Sequence, residues 1–469
     1  MPDPNLLLIY VDQMRFDALG CAGNREVLTP HLDALASQGV RFSHCFVQHP
    51  LCMPSRYSML TGRYPSSLGV THMGVPVPED AEVLPRMLGR HGYATAQIGK
   101  LHFLPHANRD HRLPHPNYGF DHLEISDEPG VYHDAYRAWV SRHHPEELSH
   151  IAQVAHPPAL ERWCEVMAIQ DSIERPRDLD PYGTRAYPGR EEATHTSWVT
   201  QRTELYLESR AADRRPFCCI SGYYNPHSPL IAPQRFLDMY RGRVIEPWSF
   251  PPELEAERLA AGITDERIVQ AKVGYYAMVS EVDEAVGQLV RTLDRLGLTD
   301  DTLVVFTSDH GEFLGEHLRW GKGYPAPDCV TRVPLILAGP GIKGGGRHVD
   351  RLVEAVDLLP TVLDALGKTR PPQLEGASRW ATLQWLDSPC DDEFALTEDI
   401  AWKALRTPEH RYILHRDGRE ELFDMRSPFG EYRDLSGHAG AAQTISRLRH
   451  QLLTHLFEKE RALPRTWPY

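Results

Sequence analysis

Three runs in the chain are apolar on both alternating positions: Leu6–Val11 (LLLIYV), the start of Phe217–Ser221 (FCCIS) and Thr302–Thr307 (TLVVFT). A strand with one wet face alternates polar and apolar residues. A strand without that alternation needs cover on both sides, as in a parallel sheet sandwiched by helices. Helical patterns fall between these runs. Thr29-Pro30 opens one, Glu82–His91 is a second with Gly92 at its exit, and Arg267–Leu298 is long and amphipathic. Val40–Val47 and Ala94–Ile98 add shorter strands. The expected fold is α/β: a large central mixed β-sheet flanked by helices. From about residue 372, short strands at Phe394–Thr397, Trp402–Arg406, Arg411–His415 and Glu421–Phe423 precede an amphipathic helix at Ala441–Glu458. These predict a smaller C-terminal domain of antiparallel sheet plus helix. The expected domains are therefore 1–371 and 372–469, with an insertion at about 104–215, rich in His and Pro, lying over the sheet edge.

With 469 residues, 41% of them hydrophobic, the chain can bury a large core. It carries 50 Lys+Arg against 64 Asp+Glu, a formal charge of −14. No basic stripe marks a nucleic-acid partner, so an anionic substrate would have to be attracted locally. No apolar stretch is long enough to cross a membrane, and Asp12 interrupts the first apolar run too early for a signal peptide. Eight scattered cysteines without a CxxC pair suit reduced thiols, so a cytoplasmic location without membrane contact is expected. A homo-oligomer is left open.

Three segments carry chemistry. Asp12 ends the first strand, at the carboxyl edge where α/β sheets gather ligands, although an Asp there is commonly only a turn or cap residue. Asp309-His310 follows the strand ending at Thr307. Carboxylates with one imidazole suit a divalent cation, and a polar loop with a structural His is the plain alternative. The third segment is Cys52-Met53-Pro54-Ser55-Arg56-Tyr57-Ser58-Met59-Leu60-Thr61-Gly62. Pro54 and Gly62 suit a helix entry and exit, which places Cys52 just before a helix N-terminus. Free amides there favour an anion, and Arg56 adds a guanidinium fork matched to tetraoxyanions. A lone cysteine is more commonly a small core residue.

The third string resembles, at every fixed position, the sulfatase signature C-x-P-S-R-x-x-x-L-T-G. The second signature of that family of the alkaline phosphatase superfamily is matched by Gly92–His102, with Leu101 where an aromatic residue or Met is usual. Asn225–Leu230 resembles its P-H-x-P segment, Gly321-Lys322-Gly323 its later lysine segment, Arg332-Val333-Pro334 its R-V-P strand and Glu421–Met425 its E-L-Y-D strand. The resemblance implies a sulfuric ester hydrolase in which a separate formylglycine-generating enzyme oxidises Cys52 to formylglycine, whose hydrated aldehyde is the nucleophile. It implies Lys100 bridging that group and sulfate, His102 on the second hydroxyl, His227 or Lys322 protonating the leaving alcohol, and Arg56, Lys100 and Lys322 around the sulfate oxygens. It also implies one divalent metal, Ca²⁺ by family habit with Mn²⁺ as the alternative, on Asp12, Gln13, residue 52, Asp309 and His310. Gln13 departs from the second Asp of many sulfatases, and His310 stands where many have Asn. The implied substrate is a small sulfated sugar, aryl or alkyl ester. His195, Trp198 and the His106–His115 region are candidates to shape its pocket. The competing expectations are a phosphonate monoester or phosphodiester hydrolase of the same superfamily, which resembles C-x-P-A-R and lacks the Lys100/His102 pair, and a non-catalytic anion-binding protein on the same fold.

Overall fold

A computed structural model describes residues 3–105, 109–111, 113–153, 157–168, 179–213, 215–384 and 394–459. His106 and Cys390 lie outside them. In chain order the strands are β1 (Asn5–Val11), β2 (Val40–Phe46), β3 (Ala94–Gly99), β4 (His122–Ile125), β5 (Arg185–Ala186), β6 (Phe217–Tyr223), β7 (Ile231–Ala232), β8 (Thr302–Ser308), β9 (Arg332–Ala338), β10 (Arg347–Glu354), β11 (Ala395–Glu398), β12 (Trp402–Arg406), β13 (His410–His415) and β14 (Glu420–Asp424). Eight of them form one sheet in the order β10-β2-β9-β8-β1-β6-β3-β4. All pairings in it are parallel except those of β9, which runs against both of its neighbours.

The double-sided apolarity of the central strands has its cause in this sheet. On β1, Leu7, Ile9 and Val11 enter one core, while Leu6, Leu8 and Tyr10 enter the other. β8 divides in the same way, with Val304 and Phe306 on one side and Leu303 and Val305 on the other. The first core is closed by the helices Pro30–Gln38, His195–Asp213 and Asp265–Arg295, the second by Cys52–Thr61, Leu84–Arg90 and Leu358–Ala365. The second predicted helix begins at Leu84 rather than Glu82, because Pro85 fits the first turn, where no backbone N–H is needed.

β5 and β7 pair as a small parallel ribbon. A separate four-stranded sheet is antiparallel, β11-β12-β13-β14, and is covered by the helix Ala442–Lys459 through Ile445, Leu448 and Leu452. It is tied to the main sheet by hydrogen bonds. Thr397 Oγ1 donates to the Val47 carbonyl at 2.6 Å and the Glu398 N–H to that of Gln48 at 2.9 Å. Arg406 and Arg411 converge on the buried Asp328 from the other side. The segment 104–215 holds more regular structure than its composition suggested. It supplies β4, the sheet's edge strand, and the core helix His195–Asp213. None of the seven described cysteines forms a disulfide, and no described helix is long and apolar enough to cross a membrane.

Candidate active site

The carboxyl ends of β8, β1, β6 and β3 lie side by side, with Val11 in register with Ser308 and Tyr223, and Gly99 with Gly222. The next residues of these strands are therefore delivered to one place: Asp309-His310 after β8, Asp12-Gln13 after β1, the Tyr224–His227 turn after β6 and Lys100 after β3. Gly99 makes the last step possible. Its φ is 91°, and a Cβ there would lie 2.0 Å from the Gly222 carbonyl oxygen. β2 runs in the same direction, and the chain leaving it enters the helix Cys52–Thr61. Every residue of that helix is buried, and its Ser55 hydroxyl donates to the Asp309 carbonyl at 2.5 Å. Cys52 is its first residue rather than the one before it. Leu51 occupies the cap position, and Gly62 closes the helix at φ 63° where Leu359 and Leu374 would crowd any side chain.

Ligand atoms of Asp12, Cys52, Asp309 and His310 all lie within 4.8 Å of one another, and all four residues are buried. Cys52 Sγ is 3.1 Å from His310 Nε2 and 3.9 Å from Asp12 Oδ1. His310 Nδ1 lies 2.9 Å from the Gly311 carbonyl, which can only accept, so that nitrogen carries the proton and Nε2 turns a lone pair toward the cluster. Burial, seconded by Lys322, pulls the imidazole down to about 4 and leaves it neutral. Gln13 holds φ 66°, gives its Nε2 to Glu312 and keeps a buried Oε1 that accepts no hydrogen bond. Two carboxylates, one neutral imidazole nitrogen and one unsatisfied amide oxygen suit a divalent cation.

Cations surround this anionic centre. Arg56 Nε donates to Asp309 Oδ2 at 2.7 Å, its Nη2 to Asp12 Oδ2 at 3.2 Å, and its guanidinium lies over the Tyr10 ring. Lys100 Nζ is 2.9 Å from Asp12 Oδ2 and 3.5 Å from Glu128 Oε1, above the ring of Tyr224. Burial alone would raise the Asp12 carboxyl, but Lys100, then Lys322 and Arg56, hold it well below the usual range. Lys322 Nζ sits 2.6 Å from Cys52 Sγ, 3.1 Å from His310 Nε2 and 3.2 Å from His227 Nε2. Burial pushes the Cys52 thiol up to about 12, with Asp12 adding to it. A resting thiolate nucleophile is thereby disfavoured.

The structure thus brings Asp12, Gln13, Cys52, Arg56, Lys100, His227, Asp309, His310 and Lys322 together. His102 lies in the same post-β3 loop, at φ 54°, with its N–H and that of Leu101 both donated to Asp127. Trp198 is fully buried core, and His195 packs beside it and Tyr136. Four contributors went unread in the sequence: Tyr10, Glu128, Tyr224 and Glu312. Of these, only Tyr10 carries a sequence signal, a polar-tipped ring in an otherwise aliphatic strand.

A second layer stands behind His227. Glu281, buried in the long helix, accepts from Asn225 Nδ2 at 2.8 Å and Thr194 Oγ1 at 3.0 Å. Burial pushes its carboxyl up to about 8. A raised carboxyl favours the folded state while it stays protonated, so the contribution is complete below about pH 4.3 and fades as pH rises through about 8. Glu281→Gln should therefore gain on the wild type as pH increases. Urea midpoints measured at about pH 5 and about pH 9 should diverge in the variant's favour, and parallel midpoints would contradict this.

A mixed sheet that gathers cations and metal-ligand side chains on one carboxyl edge defines a hydrolase site of the alkaline phosphatase superfamily. The chain belongs to the sulfatase family, whose profile matches residues 4–368. The ulvan-active sulfatase of Formosa agariphila is 29% identical over 436 residues, 90% of this chain and 75% of its own length. The arylsulfatase of Clostridium perfringens is 28% identical, covering 97% of this chain and 95% of its own. Among solved structures, the phosphonate monoester hydrolase of Agrobacterium radiobacter superposes with a TM-score of 0.79 at 25% identity, over 97% of this chain and 96% of that one.

Proposed function

We propose that the protein hydrolyses a sulfate monoester, with residue 52 matured from cysteine to formylglycine by a separate generating enzyme. The observation that carries this is the convergence of Arg56, Lys100 and Lys322 with Asp12, Asp309 and His310 on position 52. Asp12, Asp309 and His310 would hold a divalent ion, with Gln13 Oε1 as a further oxygen. Ca²⁺ is favoured by the oxygen-rich set, and Mn²⁺ is the alternative that His310 admits. When bound, the ion supplies charge to the sulfate oxygens and lowers the pKa of the nucleophile, and formylglycine supplies a geminal diol in place of the thiol.

The chain's own groups divide the remaining work. Lys100 and Lys322 offer full charges to a sulfuryl group seated over position 52. Arg56 is committed to both carboxylates, so it orients them. Lys322 also stands between position 52 and His227. His227 Nδ1 lies 2.7 Å from the Ser228 carbonyl and must carry the proton there, so Nε2 accepts from the Lys322 ammonium. Burial and Lys322 keep His227 neutral. The proton for the leaving alcohol thus starts on Lys322, and His227 sets its direction.

The second reading, phosphonate monoester hydrolysis, is favoured by the likeness to the Agrobacterium radiobacter enzyme. Turnover of an aryl sulfate and an aryl phosphonate monoester by the same preparation decides between them. kcat/KM is expected to be at least about 10-fold higher on the sulfate, a difference of about 1.4 kcal/mol in transition-state binding. The opposite order would reassign the enzyme. Inactivity on both, with Cys52 unmodified in protein from the native host, would point to anion binding without catalysis.

A further inference from the structure

A second set of metal-ligand side chains lies behind the active-site loop. Ligand atoms of Glu316, His317 and Cys329 lie within 4.8 Å of one another. The His317 side chain is 7% exposed, and its Nε2 is buried without a hydrogen-bond partner. His317 is held in place: its ring stacks on Tyr432 with centroids 4.2 Å apart, its backbone N–H donates to the Tyr432 hydroxyl at 3.2 Å, and its backbone is left-handed at φ 52°. A fourth candidate comes from the C-terminal sheet. Glu431 Oε2 stands 4.0 Å from His317 Nε2. Each glutamate gives its Oε1 to an arginine, Glu316 to Arg15 and Glu431 to Arg411, leaving Oε2 for a further partner.

We propose that Glu316, His317 and Cys329, with Glu431 closing the set, form a structural site for a thiophilic divalent cation of the Zn²⁺ class. One thiolate, one imidazole and carboxylate oxygens in a closed arrangement are the donors such ions take. Binding releases the Cys329 thiol proton to solvent as the metal–sulfur bond forms, so the site gains a 2+ ion and loses one proton. The two arginines keep the carboxylates oriented, as groups behind the ligands do in other metal sites. The ion would pin the loop that follows Asp309-His310 to the segment before β9, where the Cys329 carbonyl already accepts the Glu312 N–H at 3.0 Å, and to the turn after β14. This proposal does not rest on the sulfate chemistry.

Co²⁺ is the probe, and Cys52→Ser in the full-length chain is the background, so that the active-site sulfur cannot contribute. One equivalent of Co²⁺ is expected to raise a thiolate-to-cobalt charge-transfer band, which Zn²⁺ bleaches. Adding Cys329→Ser should abolish the band, and adding His317→Gln should weaken binding by at least about 10-fold. No band at saturating Co²⁺, or a band that survives Cys329→Ser, overturns the site. If the Cys329→Ser protein does not fold by circular dichroism, unchanged affinity in His317→Gln overturns it instead.

Discussion

Serine at position 52 is expected to react once and stop. Residue 52 is walled in by Lys322 at 2.6 Å, His310 at 3.1 Å and Asp12 at 3.9 Å, so a serine hydroxyl there would face the same cations and could still attack a sulfuryl group. A serine has only one oxygen. Once sulfated it has no neighbouring hydroxyl to drive release by elimination, and water must attack a sulfur enclosed by buried side chains. Steady-state turnover should fall by about 10⁴-fold or more, the scale on which loss of a nucleophile registers. Intact mass should show the protein heavier by one SO₃ group after exposure to an aryl sulfate. Sustained turnover by the serine protein would refute the mechanism. An unsulfated, inactive but folded protein would place the nucleophile elsewhere.

Arg56→Ala carries the other large effect. Arg56 is the shared partner of Asp12 and Asp309, with side chains no more than 1% exposed in the two ion pairs. Removing one partner of a buried pair costs about 3–5 kcal/mol, because the charge left behind has neither water nor counter-ion. Here two carboxylates are stranded, only one of which, Asp12, retains Lys100. A bound divalent ion would offset part of this. The loss in stability should therefore be larger in chelator than in excess metal, and denaturant midpoints under both conditions measure it. Equal losses would mean that Asp12 and Asp309 do not hold an ion. Arg56→Lys should recover little, since one ammonium cannot reach both carboxylates as the fork does.

The elements that could be read from the sequence share a physical property: their signal is local. β1 and β8 announce their double burial by continuous apolarity, and the helix Cys52–Thr61 announces its ends by Pro54 and Gly62. Asp12 and Asp309-His310 are found because strand ends at one sheet edge converge whatever the rest of the chain does. The groups that escaped notice depend on contacts made across the chain. Glu281 is one polar residue in the middle of an amphipathic helix, and only the packing of that helix against the Tyr224–His227 turn gives it Asn225 as a partner. Glu128 lies within a segment of weak periodicity and meets Lys100 because β4 joins the sheet beside β3. The Glu316, His317 and Cys329 set needs a left-handed backbone at a histidine, which no pattern of residue types predicts.

The reversal of β9 has a consequence for Lys322. Because β9 runs against β8, the segment that leaves β8 at Asp309 re-enters the sheet at Arg332 on the same edge. Both feet of this excursion stand at the site, and the Gly321 N–H is clasped midway by Glu312 at 2.6 Å. A chain segment fixed at both ends and in the middle explores a small volume. Lys322 is thus present at position 52 at a high effective molarity before any substrate arrives, and the ordering of that lysine is completed during folding rather than during each catalytic cycle.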